Sequence, residues 1–461
     1  MWTQRDQIQA YQFLRRRLIS ALVTGDANHP TSPGRRLVLG TILGIGAAVL
    51  TAAAFGVIGL LSPSGSADWR QGGQVIVEKE TGARYVLGQD GLLHPVLNYA
   101  SARLLAGGTA DQTVTVSSDT LRSASRGAML GIPGAPDSLP ASNALSATTF
   151  TSCTRTPPDL PAAARPVSTV VVGPSAPAGR ALPDGQAVLV APGDGGTFLV
   201  TGGLRYRIGG QAALAALGYE DASALPVAVS WLDTVPAGRD LDLLAVPDAG
   251  APGPAIGGKQ TLVGQVLGDG AFYLVRAHGV TPIGATGARL VLGDSGNAAA
   301  YPDGTPAVVT MSVAALDGAP RAGTAPAGYP STLPRPLATA PTTAVCAVDD
   351  GDGVRITTSD RLPAHPTQVG TRTDARVADA VSVPPGTGAL VREQAGAGGA
   401  TGALYLITDS GQKYPVPSDG AAAALGYAGV RPAPVSGTEL ALLPTGPSLD
   451  PVAARQVVVA R

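Results

Sequence analysis

The chain of 461 residues carries 32 Lys and Arg against 33 Asp and Glu, with 44% hydrophobic and only 4% aromatic residues. Near-neutral charge argues against a nucleic-acid partner, and the shortage of rings argues against a carbohydrate cleft lined by stacking aromatics. With 61 glycines and 40 prolines, every small-residue motif has to be weighed against chance.

In residues 1–36, Ile8, Tyr11, Leu14, Leu18, Ala21 and Leu22 recur at helical spacing while Arg15 and Arg16 turn another way, which predicts a short amphipathic helix. Such a helix can lie on the anionic inner leaflet, dock on a cytosolic partner through Tyr11, Phe13, Leu14, Arg15 and Arg16, or serve only as a basic flank. Residues 37–61, LVLGTILGIGAAVLTAAAFGVIGLL, hold no charge. As a helix they reach roughly 37 Å, enough to cross a hydrocarbon core of about 30 Å. Arg5, Arg15, Arg16, Arg17, Arg35 and Arg36 precede the run against Asp6 and Asp26. The positive-inside rule therefore puts the N-terminus in the cytosol and the rest of the chain outside. The length of the run and the lack of an A-x-A exit favour a retained anchor over a cleaved signal. Gly40, Gly44 and Ala48 share one face of the span, a pattern that admits a second membrane helix. Residues 62–74, SPSGSADWRQGGQ, read as a polar stalk.

Beyond the stalk one hairpin recurs four times: YVLGQDGLLHPV at 85–96, FLVTGGLRYRI at 198–208, YLVRAHGVTPI at 273–283 and YLITDSGQKYPV at 405–416. A short helical stretch follows each, at 99–105, 212–217, 288–292 and 421–425. Unequal spacing rules out a solenoid. The second and fourth copies share AALGY, at 215–219 and 423–427, and GRDLDLL at 238–244 echoes GTELALL at 437–443. The first and third share Ala102-Arg103-Leu104 and Ala288-Arg289-Leu290. Between copies one and two come Cys153 and Val170–Val172; between three and four come Cys346 and residues 354–357.

The fold class is α+β: a single transmembrane helix, then a four-repeat extracytoplasmic domain of small α+β lobes around a central mostly β core, with pseudo-twofold symmetry. The expected boundaries are 1–36, 37–61 and 62–74, lobe 1 at 75–145, core at 146–190, lobe 2 at 191–255, lobe 3 at 256–335, core at 336–390, and lobe 4 with the C-terminal segment at 391–461. Cys153 and Cys346 are the only cysteines and face an oxidising compartment, so a structural disulfide across the pseudo-twofold axis is the first reading. Two thiols and the scattered His29, His94, His278 and His365 make no metal site.

RDQIQAYQFLRR at 5–16, LHPVLNYASARL at 93–104, GIPGAP at 131–136 and PTGPSLDP at 444–451 occur in that order along nearly the whole chain. Together they resemble the EccB family, the single-pass core component of actinobacterial type VII (ESX) secretion machinery. The resemblance implies a four-repeat periplasmic domain, a disulfide at Cys153 and Cys346, homo-oligomers, and assembly with the motor ATPase EccC and the membrane proteins EccD and EccE. Members of the family have themselves been labelled ATPases.

The residues give that label little support. GPAIGGKQ at 253–260 matches G-x-x-x-x-G-K, but Gln260 stands where Ser or Thr should hold magnesium, Pro254 removes an amide donor, and 261–267 reads as a strand rather than the helix a phosphate needs. No G-x-S-x-G elbow occurs. His94 reads as a hairpin residue satisfied by backbone, Asp349, Asp350 and Asp352 as a solvated turn rather than a calcium loop, and Tyr85, Tyr273 and Tyr405 as packing residues. No catalytic, cofactor or metal residue is expected. Two functions fit: a scaffold of a secretion pore, or a membrane-tethered module that binds the cell wall through repeated lobes.

Overall fold

The computed structural model describes residues 3–28, 33–61, 69–107, 113–145, 149–157, 165–173, 179–268, 270–362, 367–368, 376–394 and 402–458. His29, His365 and most of the expected stalk lie outside the described residues. The chain divides into two compact units, Met1–Trp69 and Arg70–Arg461.

In the first unit, helix Gln4–Thr24 opens on a Thr3–Asp6 capping box and closes on Gly25 at φ 69°. One expectation changes here. Arg15 follows Ile8 by seven residues, about two turns, so it shares the apolar stripe. Phe13 lies on the other flank, where the Arg17 guanidinium sits 5.7 Å from its ring. The second helix, Pro33–Leu61, contains Val38–Gly56, with mean hydropathy 2.1, long and apolar enough to cross a membrane.

The second unit is mixed α+β and mostly sheet. A seven-stranded sheet runs Thr367–Gln368, Ala380–Ser382, Val167–Val172, Phe150–Arg155, Ala344–Asp349, Val354–Ser359, Arg180–Ala181. At its middle, Phe150–Arg155 and Ala344–Asp349 pair antiparallel with Cys153 directly opposite Cys346. Five successive residues of each strand are buried because both faces are covered, and a β-branched or small run suits that position.

Four smaller sheets share one order. Each is an antiparallel three-strand meander whose first strand takes a fourth, parallel strand on its other side. Sheet 1 comprises Val75–Glu78, Arg84–Leu87, Leu93–Pro95 and Thr113–Val116; sheet 2 comprises Gln186–Pro192, Thr197–Thr201, Leu204–Ile208 and Leu225–Val227. Sheet 3 comprises Val266–Gly268, Phe272–Arg276, Gly279–Ile283 and Val309–Thr310; sheet 4 comprises Gly388–Gln394, Leu404–Thr408, Lys413–Val416 and Ala433–Ser436. Arg335–Pro336 adds to sheet 2 beside Gln186–Ala187. In every sheet a helix joins the third strand to the fourth: Tyr99–Ala106, Gln211–Leu217, Ala285–Leu292 and Asp419–Ala424.

After the fourth strand the chain makes a short helix and returns along the third strand, bridging it at Leu93 with Arg126, Arg205 with Ala237, Val280 with Arg321 and Lys413 with Thr445. The next residue is Gly127, Gly238, Ala322 or Gly446. A methyl group on the three glycines would come within 2.2 Å of His94, 2.4 Å of Tyr206 and 2.3 Å of Tyr414. Sheet 3 has the small Thr281 at the ring's position and accordingly tolerates Ala322. This equates Gly238 with Gly446, not with Gly437, which opens helix Gly437–Ala441. The GRDLDLL and GTELALL segments share a glycine, an acidic residue and three leucines in register, yet they occupy different places in the two sheets. Strands Gln186–Pro192 and Gly388–Gln394 also cross the boundaries expected at 190 and 390 and belong to the lobe sheets.

Sheets pack through their helices. Leu290 of sheet 3's helix is fully buried among Leu214, Leu217 and Leu241, while Ala100, Leu104 and Ile132 beside sheet 1 share a core with Leu404, Tyr414 and Leu449 beside sheet 4. The Tyr219 hydroxyl donates to the Pro334 carbonyl, and the Tyr427 hydroxyl donates to that of Pro140 at 2.9 Å. Burial raises the pKa of both phenols.

Candidate functional site

The N-terminal helix leaves Tyr11, Phe13, Leu14 and Leu18 more than 60% exposed. Their side chains are free to meet another surface, with Leu14 and Tyr11 on one stripe and Phe13 set apart beside Arg17. On the apolar helix, Gly40, Gly44 and Ala48 recur every fourth residue, and a methyl on either glycine would meet nothing within 4 Å. In the second unit, Cys153 and Cys346 are disulfide-bonded and fully buried, 193 positions apart in sequence.

His94 is held in its hairpin, Nδ1 2.8 Å from the Ala128 carbonyl and Nε2 3.1 Å from the Asp90 carboxylate. The Leu92 amide, and then His94, lower the Asp90 pKa. The DDGDG segment is a turn: Asp349 accepts from the Gly351 amide at 2.8 Å, and Arg355 pairs with Asp350, holding that carboxyl below its ordinary range. Among the described residues no His, Cys, Asp and Glu group is arranged to hold a metal.

Among the buried charges of the described residues, Lys413 and Glu439 were not foreseen from the sequence. Lys413 Nζ donates to the Leu443 carbonyl at 2.8 Å. Glu439, in a capping box with Ser436, is pushed up to about 7 by burial, reinforced by Asp349 and opposed by Ser436. Neither has a local signal, because burial is decided by strands far away in sequence.

The family described as "Type VII secretion system ESX-1, transport TM domain B", EccB, matches residues 1–459. The chain belongs to the EccB family. Among relatives, the ESX-5 secretion system ATPase EccB5 of Mycobacterium marinum is 28% identical, over 97% of this chain and 92% of its own. A chain of the periplasmic assembly from the ESX-5 inner membrane complex is 26% identical with a TM-score of 0.64, covering 87% of this chain and 100% of that one. A chain of the EccB3 dimer from the ESX-3 core complex is 25% identical with a TM-score of 0.68, covering 84% and 100%.

The EccB relative carries the word ATPase in its name, so the G-x-x-x-x-G-K segment matters. Here it forms a two-stranded hairpin, Pro252–Ile256 and Lys259–Leu262, turning on Gly257 and Gly258 at φ 57° and 75°. Gln260 donates to the Gly253 carbonyl at 2.6 Å and Thr261 to that of Pro254 at 2.7 Å. A phosphate cradle needs successive amides converging at a helix N-terminus. This segment instead pairs one strand with the other and leads into another strand, Val266–Gly268.

Proposed function

We propose that this chain is a structural, membrane-anchored component of a type VII secretion translocon and scaffolds protein export across the cell envelope. The observation that carries the reading is a family match over residues 1–459, spanning both the apolar helix and the sheet-rich unit. Its relatives come from an inner membrane complex with a periplasmic assembly and from a dimer. On that basis the N-terminus is cytosolic, the sheet-rich unit is outside, and the chain assembles with itself and with proteins of the EccC, EccD and EccE type. Tyr11, Leu14 and Arg15 form one cytosolic docking stripe and Phe13 with Arg16 a second flank, while Gly40, Gly44 and Ala48 seat a neighbouring membrane helix. The chain itself hydrolyses no nucleotide; the hairpin at 252–262 supports this by offering no helix N-terminus to a phosphate.

The unit outside reads as two fused halves, each of two lobes and two core strands, with lobes 1–4 holding sheets 1–4. Side-chain detail supports the pairing of lobe 1 with lobe 3 and lobe 2 with lobe 4. Arg126 stacks on Tyr85 at 4.9 Å, as Arg321 does on Tyr273 at 4.7 Å. Arg205 donates to the Leu232 carbonyl, as Lys413 does to that of Leu440, 208 positions later in both donor and acceptor. The Tyr219–Pro334 and Tyr427–Pro140 bonds exchange under the same operation, and the disulfide joins equivalent cysteines. The symmetry fails at the outer core strands: Ala380–Ser382 runs parallel to Val167–Val172, whereas Arg180–Ala181 runs antiparallel to Val354–Ser359.

The test is affinity capture of the tagged full chain from membranes in mild detergent, with mass spectrometry of what comes along. Co-purification of EccC- and EccD-type proteins, lost when Tyr11, Phe13 and Leu14 are replaced by alanine, is the expected result. Good recovery of the bait with no secretion protein, and retention on purified peptidoglycan instead, would overturn it in favour of wall binding.

A further inference from the structure

A cavity of about 440 Å³ opens against sheet 3, between the segment Leu244–Pro247, the sheet with its helix, and the strap 326–331. Its floor is apolar: Leu244, Val246, Leu274, Ile283 and Val291. Two cations line it, Arg239 and Arg276.

Two residues at this cavity differ in kind from their counterparts in the other three sheets. Strand alternation puts Arg276 on the same face as Leu274, over the helix. The positions equivalent to Arg276, fixed by the shared bridges, are Gly88, Thr201 and Thr408. Sheet 3 therefore carries a guanidinium where its siblings carry small residues. A second departure faces the same space. The third helical position is Ser101, Ala213 and Ala421 in the other lobes, each buried, but Gly287 in sheet 3's helix. Glycine disfavours a helix relative to alanine. Gly287 has no positive φ, and the nearest atom to an added methyl would be Ile283 Cβ at 3.9 Å. Among the described residues no close approach requires the glycine, and because Gly287 lines the cavity a side chain there would take up its space.

The charges are unevenly matched. Arg239 lies 4.8 Å over the Tyr329 ring and donates to the Ala327 carbonyl at 3.3 Å. Asp240 and Asp242 also act on Tyr329, and Asp240 pairs with Arg207 at 3.6 Å. Neither Arg239 nor Arg276 has a carboxylate within ion-pair distance among the described residues, but Arg239 is already engaged by the Tyr329 ring and the Ala327 carbonyl, whereas Arg276 makes no such contact there. An apolar floor beside one guanidinium whose donors are not engaged selects for an apolar body carrying a single anionic group.

We propose that this cavity is a binding site for a small amphipathic carboxylate, its apolar body on Leu274, Ile283 and Val291 beside Gly287 and its carboxylate held by Arg276. The full chain in lipid nanodiscs is titrated calorimetrically with 4-phenylbutanoate, 4-phenylbutanol and 4-phenylbutylammonium, against empty nanodiscs. The carboxylate is expected to bind saturably at one site per chain, the alcohol at least tenfold more weakly and the ammonium not at all. Arg276→Gln should cost the carboxylate at least tenfold in affinity, the value of roughly one charge-assisted hydrogen bond. Gly287→Leu should abolish binding by filling the cavity. Should that variant misfold, Arg276→Gln and the three-probe comparison on the unaltered chain decide alone. Equal binding of carboxylate and ammonium, unchanged affinity in a folded Gly287→Leu variant, or no saturable binding up to about 1 mM would overturn the proposal.

Discussion

Replacing Cys153 and Cys346 together by alanine removes one covalent bond and no charge. The bond joins directly opposed residues at the centre of the seven-stranded sheet and closes a loop spanning 193 positions. Releasing a loop of that length returns about 18 cal/mol/K of entropy to the unfolded chain in the loop-closure model, or ~5 kcal/mol at 25 °C. A unit running from 70 to 461, roughly 390 residues, unfolds with an entropy near 0.8 kcal/mol/K at ~2.1 cal/mol/K per residue. The ratio is a fall in melting temperature of about 6 °C. The assay is scanning calorimetry of the full chain in nanodiscs at one scan rate, with non-reducing peptide mapping of the unaltered protein. Because both cysteines are fully buried, reductant should leave the native bond intact and cut it once the chain is unfolded. A melting temperature within about 1 °C of the unaltered chain, with the bond mapped, would refute the reasoning.

Gly446→Ala should cost ~1–3 kcal/mol by driving a methyl into Tyr414, whereas pairing it with Tyr414→Thr copies Thr281 and Ala322 of sheet 3. Strict additivity in that double-mutant cycle, read from urea midpoints, would sink the argument; a coupling of ~1 kcal/mol or more is expected. Glu439 has a folded pKa raised to about 7 from 4.5, so the native state binds more protons than the unfolded chain between those values. Its contribution therefore worsens as pH rises from about 4.5 to 7, by on the order of 3 kcal/mol, and Glu439→Gln should flatten that part of the stability profile. Trp231, fully buried with its indole donating to the Ser152 carbonyl at 3.0 Å, ties lobe 2 to the central sheet. Trp231→Ala should lower stability by ~3–5 kcal/mol, and a loss below ~1 kcal/mol in equilibrium unfolding would contradict that role.

The four hairpins were legible because each joins period-2 apolar strands through glycine, and a helix follows at once. The helices at Tyr99–Ala106, Gln211–Leu217, Ala285–Leu292 and Asp419–Ala424 fall where their alanines and leucines place them. The fourth strands were not legible. Val309–Thr310 has two residues and Leu225–Val227 three, too short for any period, and each pairs in parallel with a strand that precedes it by more than thirty positions. The phosphate-loop match failed as a motif because sequence spacing says nothing about whether amides converge. Gly257 and Gly258 serve a hairpin turn equally well. Arg276 and Gly287 were invisible for another reason: each is ordinary alone, and only the sheet register shows that both depart from their counterparts at the same cavity.

The proposed duplication gives the contacts between lobes a common meaning. Lobe 2 packs on lobe 3 around Leu290, and lobe 4 on lobe 1 around Leu104 and Tyr414. On the proposed duplication, each of these cores joins one half to the other, as do the antiparallel pair at Cys153 and Cys346 and the two tyrosine–proline bonds. Because these cores are shared, a single half would expose the faces of Leu217 and Leu104 and an unpaired core edge. Such a half could satisfy all of these at once by associating with a second copy, in the arrangement the two halves now have. Fusion would then convert an intermolecular association into an intramolecular one, removing its concentration dependence. It would also free the two copies of each position to diverge, and on this proposal Trp231 and Glu439, 208 positions apart, are such a pair.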